Sequence, residues 1–324
     1  MVARFAFAFV AASCLSCSTG FAQQADPAAE PTHADVPYGE HERQVLDFYQ
    51  AESDQPTPVV FFIHGGGWGA GDKAAALRSL DIPRLLENGV SVVAINYRYV
   101  HQARAAGIEP PVKWPLEDAA RALQFVRFNA EEWNLDKERI GASGGSAGAC
   151  SSLWLAMHDD MADPGSNDPV AQESTRLFCA AVVGAQTSLD PHQTREWMPN
   201  SVYGGHAFGF RKQPPGNREG RDAEFQTFHD HRDEVLAFIK EYSPIEHASE
   251  DDPPLWLTFG DRQPMQKGDM PDDPTHSILF GKMLAEKLEP LGVEIIVTSP
   301  AERQGPYRNA TDALLNMLKA TPEK

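Results

Sequence analysis

The stretch "RIGASGGSAGACSS", residues 139–152, contains two overlapping copies of the pattern Gly-x-Ser-x-Gly, one around Ser143 and one around Ser146. The short apolar run before it predicts a strand that ends near Ser143, and a helix is predicted to begin at Ala147. A nucleophile elbow holds its serine at the tip of such a strand-to-helix turn, with small residues two positions to either side. Ser146 meets this condition, whereas Ser143 still lies in the strand. We therefore predict Ser146 as the nucleophile.

A glycine-rich loop supplies the second feature of a hydrolase site. In "FFIHGGGWGAGDK", residues 61–73, His64 and three glycines follow an apolar run directly. Consecutive glycines let backbone N–H groups turn toward a ligand without obstruction by Cβ atoms. The N–H of Ala147, at the start of its helix, is a further donor for an oxyanion. Two such motifs at the ends of predicted strands, about 80 residues apart, predict a hydrolase site.

The order of apolar and amphipathic segments predicts an α/β fold. Helical patterns lie between the apparent strands and favour a mostly parallel sheet with helices on both faces. The apparent strands are 58–64, 90–99, 139–143, 177–185, 254–260 and 293–299, and the helical patterns are 73–87, 115–130, 147–158, 276–289 and 309–319. The long interruption at 186–250 predicts an irregular, cap-like insertion above the sheet.

Several segments together resemble the α/β-hydrolase fold, in its bacterial carboxylesterase, acetyl esterase and feruloyl/xylan esterase-like branch. They are "VPYGEHERQVLDFYQ" (36–50), "PVVFFIHGGGWGAGDK" (58–73), "VVAINYRYV" (92–100), "PLEDAARALQFVR" (115–127) and "ERIGASGGSAGA" (138–149). The resemblance implies one α/β-hydrolase domain over residues 37–324, and it is close over 37–185. It also implies an oxyanion hole made by the N–H groups of Gly66, Gly67 and Ala147, and a small ester substrate with an acetyl- or feruloyl-type acyl group, on a small molecule or a polysaccharide.

The sequence departs from this pattern where the triad acid and histidine are expected. The acid follows the next-to-last strand in such enzymes, and here Asp261 follows directly, while the usual position two residues later is Gln263. The histidine position after the last strand is Gln304, and no histidine follows His276. Glutamine cannot accept a proton from serine at neutral pH, so the standard triad is absent.

His276 is the histidine that we propose as a substitute base. It lies in "DDPTHSILFG" just before a predicted helix, on the sheet edge that also carries the elbow. We expect Asp261 as its acid partner, with Asp269, Asp272 and Asp273 as alternatives in the same loop. The less constrained alternatives for the base are in the insertion: His192, His206, His229 and His231. A different hypothesis, favoured by Gln304, is a non-catalytic binding protein that retains an esterase-shaped pocket.

Charge and motif content exclude other classes of function. The formal net charge is −18, from 46 acidic and 28 basic residues, which disfavours nucleic acid and anionic membrane surfaces as partners. No dinucleotide-binding fingerprint or P-loop is present, so we expect no cofactor. We also expect no metal, and we predict solvated surface for the run His158-Asp159-Asp160.

The first residues predict export. Arg4, the apolar run "FAFAFVAASCL" and the small residues ending at Ala22 are typical of a signal peptide over 1–22. The apolar run is too short to span a bilayer, and the Pro/Ala/acid-rich residues 23–36 predict a disordered leader. The alternative is a lipoprotein that is anchored through Cys14 or Cys17.

Overall fold

The computed structural model describes residues 29–210, 218–302 and 305–319. Within these ranges one sheet of eight strands forms. The strands are β1 (His33–Pro37), β2 (Val45–Tyr49), β3 (Thr57–Ile63), β4 (Ser91–Ile95), β5 (Leu135–Gly145), β6 (Cys179–Val183), β7 (Leu255–Thr258) and β8 (Ile295–Thr298). Their order across the sheet is β1-β2-β4-β3-β5-β6-β7-β8. β2 is antiparallel to β1 and β4, and all the other neighbours are parallel.

Helices cover both faces of this sheet, as the sequence predicts. They are α1 (Ala76–Ser79), α2 (Ile82–Glu87), α3 (Val100–Ala105), α4 (Lys113–Phe128), α5 (Ala147–Met157), α6 (Pro191–Trp197), α7 (Arg218–Asp230), α8 (Leu236–Tyr242), α9 (Leu279–Leu288) and α10 (Ala310–Met317). Neighbouring residues of β3 belong to different cores: Phe61 packs in the core that includes α4, α5 and α9, and Phe62 in the core that includes α2 and α10. No helix among the described ranges is long and apolar enough to cross a membrane.

The amino-terminal part of the fold differs from the prediction. Residues 33–36 of the predicted disordered leader belong to β1, an edge strand that pairs with β2. The pairing is made by backbone groups and by the Asp35 N–H, which donates to a carboxylate oxygen of Asp47 at 2.9 Å. An exposed edge strand needs no apolar pattern, so composition did not reveal it. The predicted signal peptide and residues 23–28 lie outside the described residues.

The insertion between β6 and β7 is largely helical rather than irregular. It contains α6, α7, α8 and short 3-10 turns at Gly205–Phe208, Arg232–Val235 and Pro244–His247. The backbone joins it to the body of the protein, since the Val112 N–H donates to the carbonyl of Ala207 at 3.0 Å. The helices of the insertion are short or strongly charged, so they lack a clear apolar period. In a segment rich in His, Pro and Gly, the sequence pattern therefore did not predict them. Residues of the insertion, among them His206 and Phe225, line one cavity with Ser146.

The turn from β5 into α5 passes very close to the end of β3. A Cβ atom on Gly144 would lie 2.5 Å from the carbonyl oxygen of Ile63, and one on Gly148 would lie 2.1 Å from the same oxygen. Both distances are far below contact between real atoms, and the obstruction is backbone that cannot rotate away. Glycine at these two positions therefore permits the crossing of β3, β5 and α5 on which the position of Ser146 depends.

We expect Gly148→Ala to lower the free energy of unfolding by at least about 1–3 kcal/mol, because the added methyl group forces backbone apart. Gly145→Ala is the matched control, since a Cβ there would meet nothing nearer than the carbonyl oxygen of Val183 at 3.9 Å. Urea unfolding of the two variants and the parent protein measures the difference. Equal midpoints for the two variants would contradict the crossing described above.

Candidate active site

Ser146 occupies the tip of the turn between β5 and α5. Its backbone has φ 54° and ψ −124°, a conformation that is unusual for a residue with a side chain and is typical of strained functional turns. Its N–H donates to the carbonyl of Val183 at 2.9 Å, which ties the turn to β6. Ser143, by contrast, lies within β5 and donates its hydroxyl hydrogen to the carbonyl of Ala181 at 2.8 Å. The two serines thus have the positions that the sequence predicts for them.

His276 contacts Ser146 across 130 residues of sequence, with its Nε2 atom 2.9 Å from the serine Oγ. Its Nδ1 atom lies 2.7 Å from a carboxylate oxygen of Asp273. The Nδ1–H donates to this carboxylate, which leaves Nε2 to accept the serine hydroxyl hydrogen. Gly184, with φ 61°, makes room for the ring, because a Cβ atom there would lie 3.3 Å from the imidazole Cδ2. The structure therefore joins a serine, a histidine and a carboxylate in one hydrogen-bonded series.

Asp261 is not the carboxylate in this series, contrary to the expectation from sequence. Its side chain accepts the backbone N–H of Ile278 at 2.7 Å and the hydroxyl of Ser277 at 3.3 Å. These residues lead into α9, where the first N–H groups of the helix have no partner within it. Burial raises the pKa of the Asp261 carboxyl group. Asp261 thus organises the start of α9, while Asp273 contacts the imidazole.

The position of Asp273 explains why sequence reasoning chose another acid first. Asp273 is only three residues before His276, and its carboxylate also accepts the N–H of Thr275 at 3.1 Å. A tight turn between β7 and α9 therefore brings both side chains to Ser146 together. The Asp-x-x-His spacing was the available signal, and Asp273 was among the alternatives in this loop. Asp269 instead accepts the N–H of Gln266 at 2.8 Å.

The glycine loop lies next to Ser146, since a Cβ atom on Gly65 would lie 3.4 Å from the Cβ atom of Ser146. Gly66 and Gly67 have φ values of 105° and 58°, which glycine adopts without steric cost. A Cβ atom on Gly66 would lie 2.2 Å from the carbonyl oxygen of Ala70, so the turn requires glycine there. Gly67 lines one cavity with Ser146, and Ala147 begins α5 next to it. These are the three residues whose N–H groups the resemblance assigns to an oxyanion hole.

His64, the residue before these glycines, has a supporting position. Its ring is stacked on Tyr97 with centroids 4.2 Å apart, and its Nδ1 lies 2.7 Å from the carbonyl of Gly65. Burial lowers its pKa to about 4, so the ring is neutral at ordinary pH. The imidazole of His64 therefore supports the start of the glycine loop, and we assign it no role as a proton acceptor for Ser146.

The cavity at Ser146 has a volume of about 350 Å³. Its floor contains Gly67, Ser146 and His276, and the insertion supplies much of the wall. The wall residues from the insertion are Val202, Tyr203, Gly204, Gly205, His206, Arg221, Glu224 and Phe225. The wall is thus a mixture of aromatic, polar and charged side chains, as expected for a site that binds a polar organic molecule.

The alternative histidines of the insertion lie in other environments. His206 lines the cavity near the glycine loop, while the rings of His192 and His229 pair with each other, centroids 4.4 Å apart. The Nδ1 atom of His231 lies 2.8 Å from the carbonyl of Thr227. The histidine that accepts the hydroxyl hydrogen of Ser146 is His276, the base that the sequence favours. Gln304, the residue at the usual histidine position, lies outside the described residues.

The parallel sheet, the elbow at Ser146 and the adjoining histidine and carboxylate define a protein of the α/β-hydrolase fold. Within that fold, residues 46–268 match the model of the BD-FAE family, and the chain belongs to this family.

Named relatives of the chain are ester hydrolases. The chain is 29% identical over 232 residues to the probable carboxylic ester hydrolase LipM of Mycobacterium tuberculosis, which covers 70% of this chain and 47% of LipM. It is 34% identical over 134 residues to the probable isoprenylcysteine alpha-carbonyl methylesterase ICMEL1 of Oryza sativa subsp. japonica, 41% of this chain and 29% of that protein. The chain therefore spans half or less of the length of these relatives.

Solved structures share the fold. The acetyl ester-xyloside bifunctional hydrolase from Caldicellulosiruptor lactoaceticus superposes with a TM-score of 0.59 at 22% identity, covering 85% of this chain and 86% of that one. The thermophilic esterase Est2 of Thermogutta terrifontis gives a TM-score of 0.56 at 21% identity, covering 85% and 82% of the two chains.

We expect Asp261→Ala to lower the free energy of unfolding by about 1 kcal/mol, because the N–H of Ile278 then loses its acceptor at the start of α9. Asp261→Asn retains an oxygen acceptor and is expected to cost less. Folding raises the pKa of Asp261, so its proton is bound more tightly in the folded protein. The parent protein should accordingly gain stability relative to Asp261→Asn as the pH falls from neutral toward about 4. Urea unfolding of the three proteins at several pH values measures both effects. A difference between the parent protein and Asp261→Asn that does not change with pH would refute the predicted pH dependence.

Proposed function

We propose that this protein is a serine carboxylic ester hydrolase that acts through an acyl-enzyme on Ser146. One observation carries the proposal: His276 is placed with Nε2 2.9 Å from the Ser146 Oγ and with Nδ1 2.7 Å from Asp273. A serine hydroxyl is a weak nucleophile until a neighbouring base takes its proton, and that base needs an orienting group. Membership of the BD-FAE family and the ester hydrolases among the relatives support the same activity.

In the first half of the reaction, Ser146 Oγ attacks the ester carbonyl carbon while His276 Nε2 takes the hydroxyl proton. The carbonyl oxygen becomes an oxyanion, and the N–H groups of Gly66, Gly67 and Ala147 stabilise its charge. Collapse of this intermediate breaks the bond to the alcohol oxygen, which receives the proton from His276. The products of this half-reaction are the free alcohol and an acyl ester on Ser146.

In the second half, water replaces the alcohol. His276 takes a proton from the water as it attacks the acyl carbon, and returns that proton to Ser146 Oγ when the bond to serine breaks. Asp273 keeps its negative charge throughout and stabilises the imidazolium form through the Nδ1–H bond. The carboxylic acid then leaves, and the enzyme returns to its starting state.

The competing hypothesis is a non-catalytic binding protein, and its basis is Gln304 at the usual histidine position. The contact between His276 and Ser146 supports the catalytic proposal instead, because it supplies a base from a different loop. The strained backbone of Ser146 supports it as well, since a binding pocket has no need of a serine at φ 54°.

We infer a small acyl group and a hydroxyl-rich alcohol, such as an acetyl ester on a sugar or polysaccharide. A Cβ atom on Gly67 would be in van der Waals contact with Nε2 of His206, at 3.5 Å, so His206 bounds the space beside the glycine loop. The charged side chains of Arg221 and Glu224 line the same cavity and suit hydrogen bonding to sugar hydroxyls. A feruloyl ester is the larger alternative. The signal-like residues 1–22 support a role outside the cytoplasm.

The series is tested by Ser146→Ala, His276→Ala and Asp273→Asn, with p-nitrophenyl acetate as substrate. We expect each to lower kcat/KM by about a hundredfold or more, because each removes a group that the transition state requires. The double variant that combines Ser146→Ala and His276→Ala should have a kcat/KM no lower than that of either single variant, since the two residues act as a unit. Asp261→Asn is the matched control, and its kcat/KM should stay within about threefold of that of the parent enzyme.

Two outcomes would contradict this assignment. An equal loss of kcat/KM in Asp261→Asn and Asp273→Asn would indicate that Asp261, rather than Asp273 alone, serves as the acid partner of His276. No dependence of hydrolysis on Ser146, with esters of both simple alcohols and sugars, would favour the binding protein. Circular dichroism and the unfolding midpoint of each variant separate loss of chemistry from loss of structure.

The acyl group is tested with p-nitrophenyl acetate, butyrate and octanoate. We expect kcat/KM to fall by tenfold or more from acetate to octanoate, because the longer chain must displace the cavity wall. Phe225→Ala removes a buried ring from that wall and should reduce this ratio. Phe238→Ala, which removes an exposed ring that does not line this cavity, is the control. A ratio that favours octanoate in the parent enzyme would refute the small-acyl proposal.

A further inference from the structure

A second group of chemically active side chains lies at the carboxyl end of α5, apart from the cavity of Ser146. His158 follows the last residue of α5, Glu241 lies on α8, and His247 ends the 3-10 turn after α8. One potential ligand atom from each of the three lies within 4.8 Å of the others. His158 is 12 residues after Ser146, which corresponds to about 18 Å along a helix. The group is therefore separate from the proposed catalytic site.

Backbone carbonyls orient both imidazoles. Nδ1 of His158 lies 2.8 Å from the carbonyl oxygen of Asp159, and Nε2 of His247 lies 2.6 Å from the carbonyl oxygen of Glu241. Each ring donates an N–H to its carbonyl, so Nε2 of His158 and Nδ1 of His247 are left with lone pairs. Histidines that bind metals commonly have this second hydrogen bond, which sets the tautomer and the direction of the ring.

The remaining nitrogen atom of His158 faces a carboxylate. Nε2 of His158 lies 3.2 Å from Oε1 of Glu241, and the two imidazole centroids are 4.6 Å apart. In the neutral form of His158, a lone pair on Nε2 faces this negative carboxylate, and a cation between the two atoms would remove their repulsion. Two nitrogen ligands and one carboxylate oxygen suit Zn²⁺ and related divalent transition metals, while Ca²⁺ and Mg²⁺ prefer oxygen alone.

We propose that His158, Glu241 and His247 bind one divalent transition metal ion, with Zn²⁺ as the preferred metal and water as the fourth ligand. Ligands about 2.0 Å from a tetrahedral zinc lie about 3.3 Å apart, so small side-chain rotations bring the three atoms into place. The site is reachable, because the side chains of His158 and Glu241 are 17% and 48% exposed.

The ion would connect the end of the insertion to the body of the protein. Glu241 and His247 belong to α8 and the turn after it, and His158 belongs to α5, the helix that begins beside Ser146. A hydrogen bond already joins these parts, from the Trp154 Nε1–H to the carbonyl of Glu241 at 2.8 Å. The metal therefore adds a second connection and is expected to stabilise the folded protein without taking part in ester hydrolysis.

The experiment uses the purified protein after removal of metals with a chelator. We expect one equivalent of Co²⁺ to produce the visible absorption of a tetrahedral site, and Zn²⁺ to displace it and raise the unfolding temperature. Glu241→Gln and His247→Ala should each weaken Zn²⁺ binding at least tenfold, measured by calorimetry, while p-nitrophenyl acetate hydrolysis stays at the parent level. Glu241→Gln preserves size and hydrogen bonding, so it remains decisive if His247→Ala does not fold.

Two controls make the result specific to this site. His229→Ala removes a histidine of the His192–His229 pair and should leave Zn²⁺ binding unchanged. His276→Ala removes a histidine that contacts the carboxylate of Asp273, and it should also leave Zn²⁺ binding unchanged. The proposal is overturned if the protein takes up no Co²⁺ or Zn²⁺, if Glu241→Gln binds Zn²⁺ as tightly as the parent, or if His276→Ala abolishes the binding.

Discussion

The close approach of the end of β3 to the turn between β5 and α5 is the constraint on which the site depends. The carbonyl of Ile63 lies where Cβ atoms on Gly144 and Gly148 would be, so the three elements meet at backbone contact distance. The glycine loop follows β3 directly, and this contact therefore sets the distance between its N–H groups and Ser146. Parallel strands place their carboxyl ends at one edge of the sheet, and the loops of β3, β5 and β7 all act there.

The loop between β7 and α9 places a histidine and a carboxylate beside Ser146. Asp261 anchors the start of α9 through the N–H of Ile278, and Asp273 and His276 lie in the turn that this anchor helps to shape. Two aspartates of one loop thus have different tasks, one structural and one beside the imidazole. Under the proposed function, the catalytic imidazole comes from this earlier loop, and Gln304 at the usual histidine position is compatible with activity.

The insertion contacts both ends of α5. Its first part provides the aromatic and charged wall over Ser146, and its last part, α8 and the following turn, returns to the far end of α5. The same helix α5 therefore has the turn of Ser146 at one end and the His158 group at the other. Charged, short helices of this kind have weak apolar periodicity, and for that reason the sequence pattern predicted an irregular segment.

Local patterns by themselves determined the class of fold and the place of Ser146 at the turn after β5, and they predicted the glycine loop and His276 as the proposed base. Each of these depends on short-range rules: strand and helix periods, turn chemistry, and the position of a residue at the end of a strand. The tertiary structure alone decided that Asp273 rather than Asp261 meets His276, that residues 33–37 form an edge strand, and that Glu241 and His247 join His158. These are contacts of side chains or strands set by turn geometry and by packing of distant elements, and no period in the sequence encodes them.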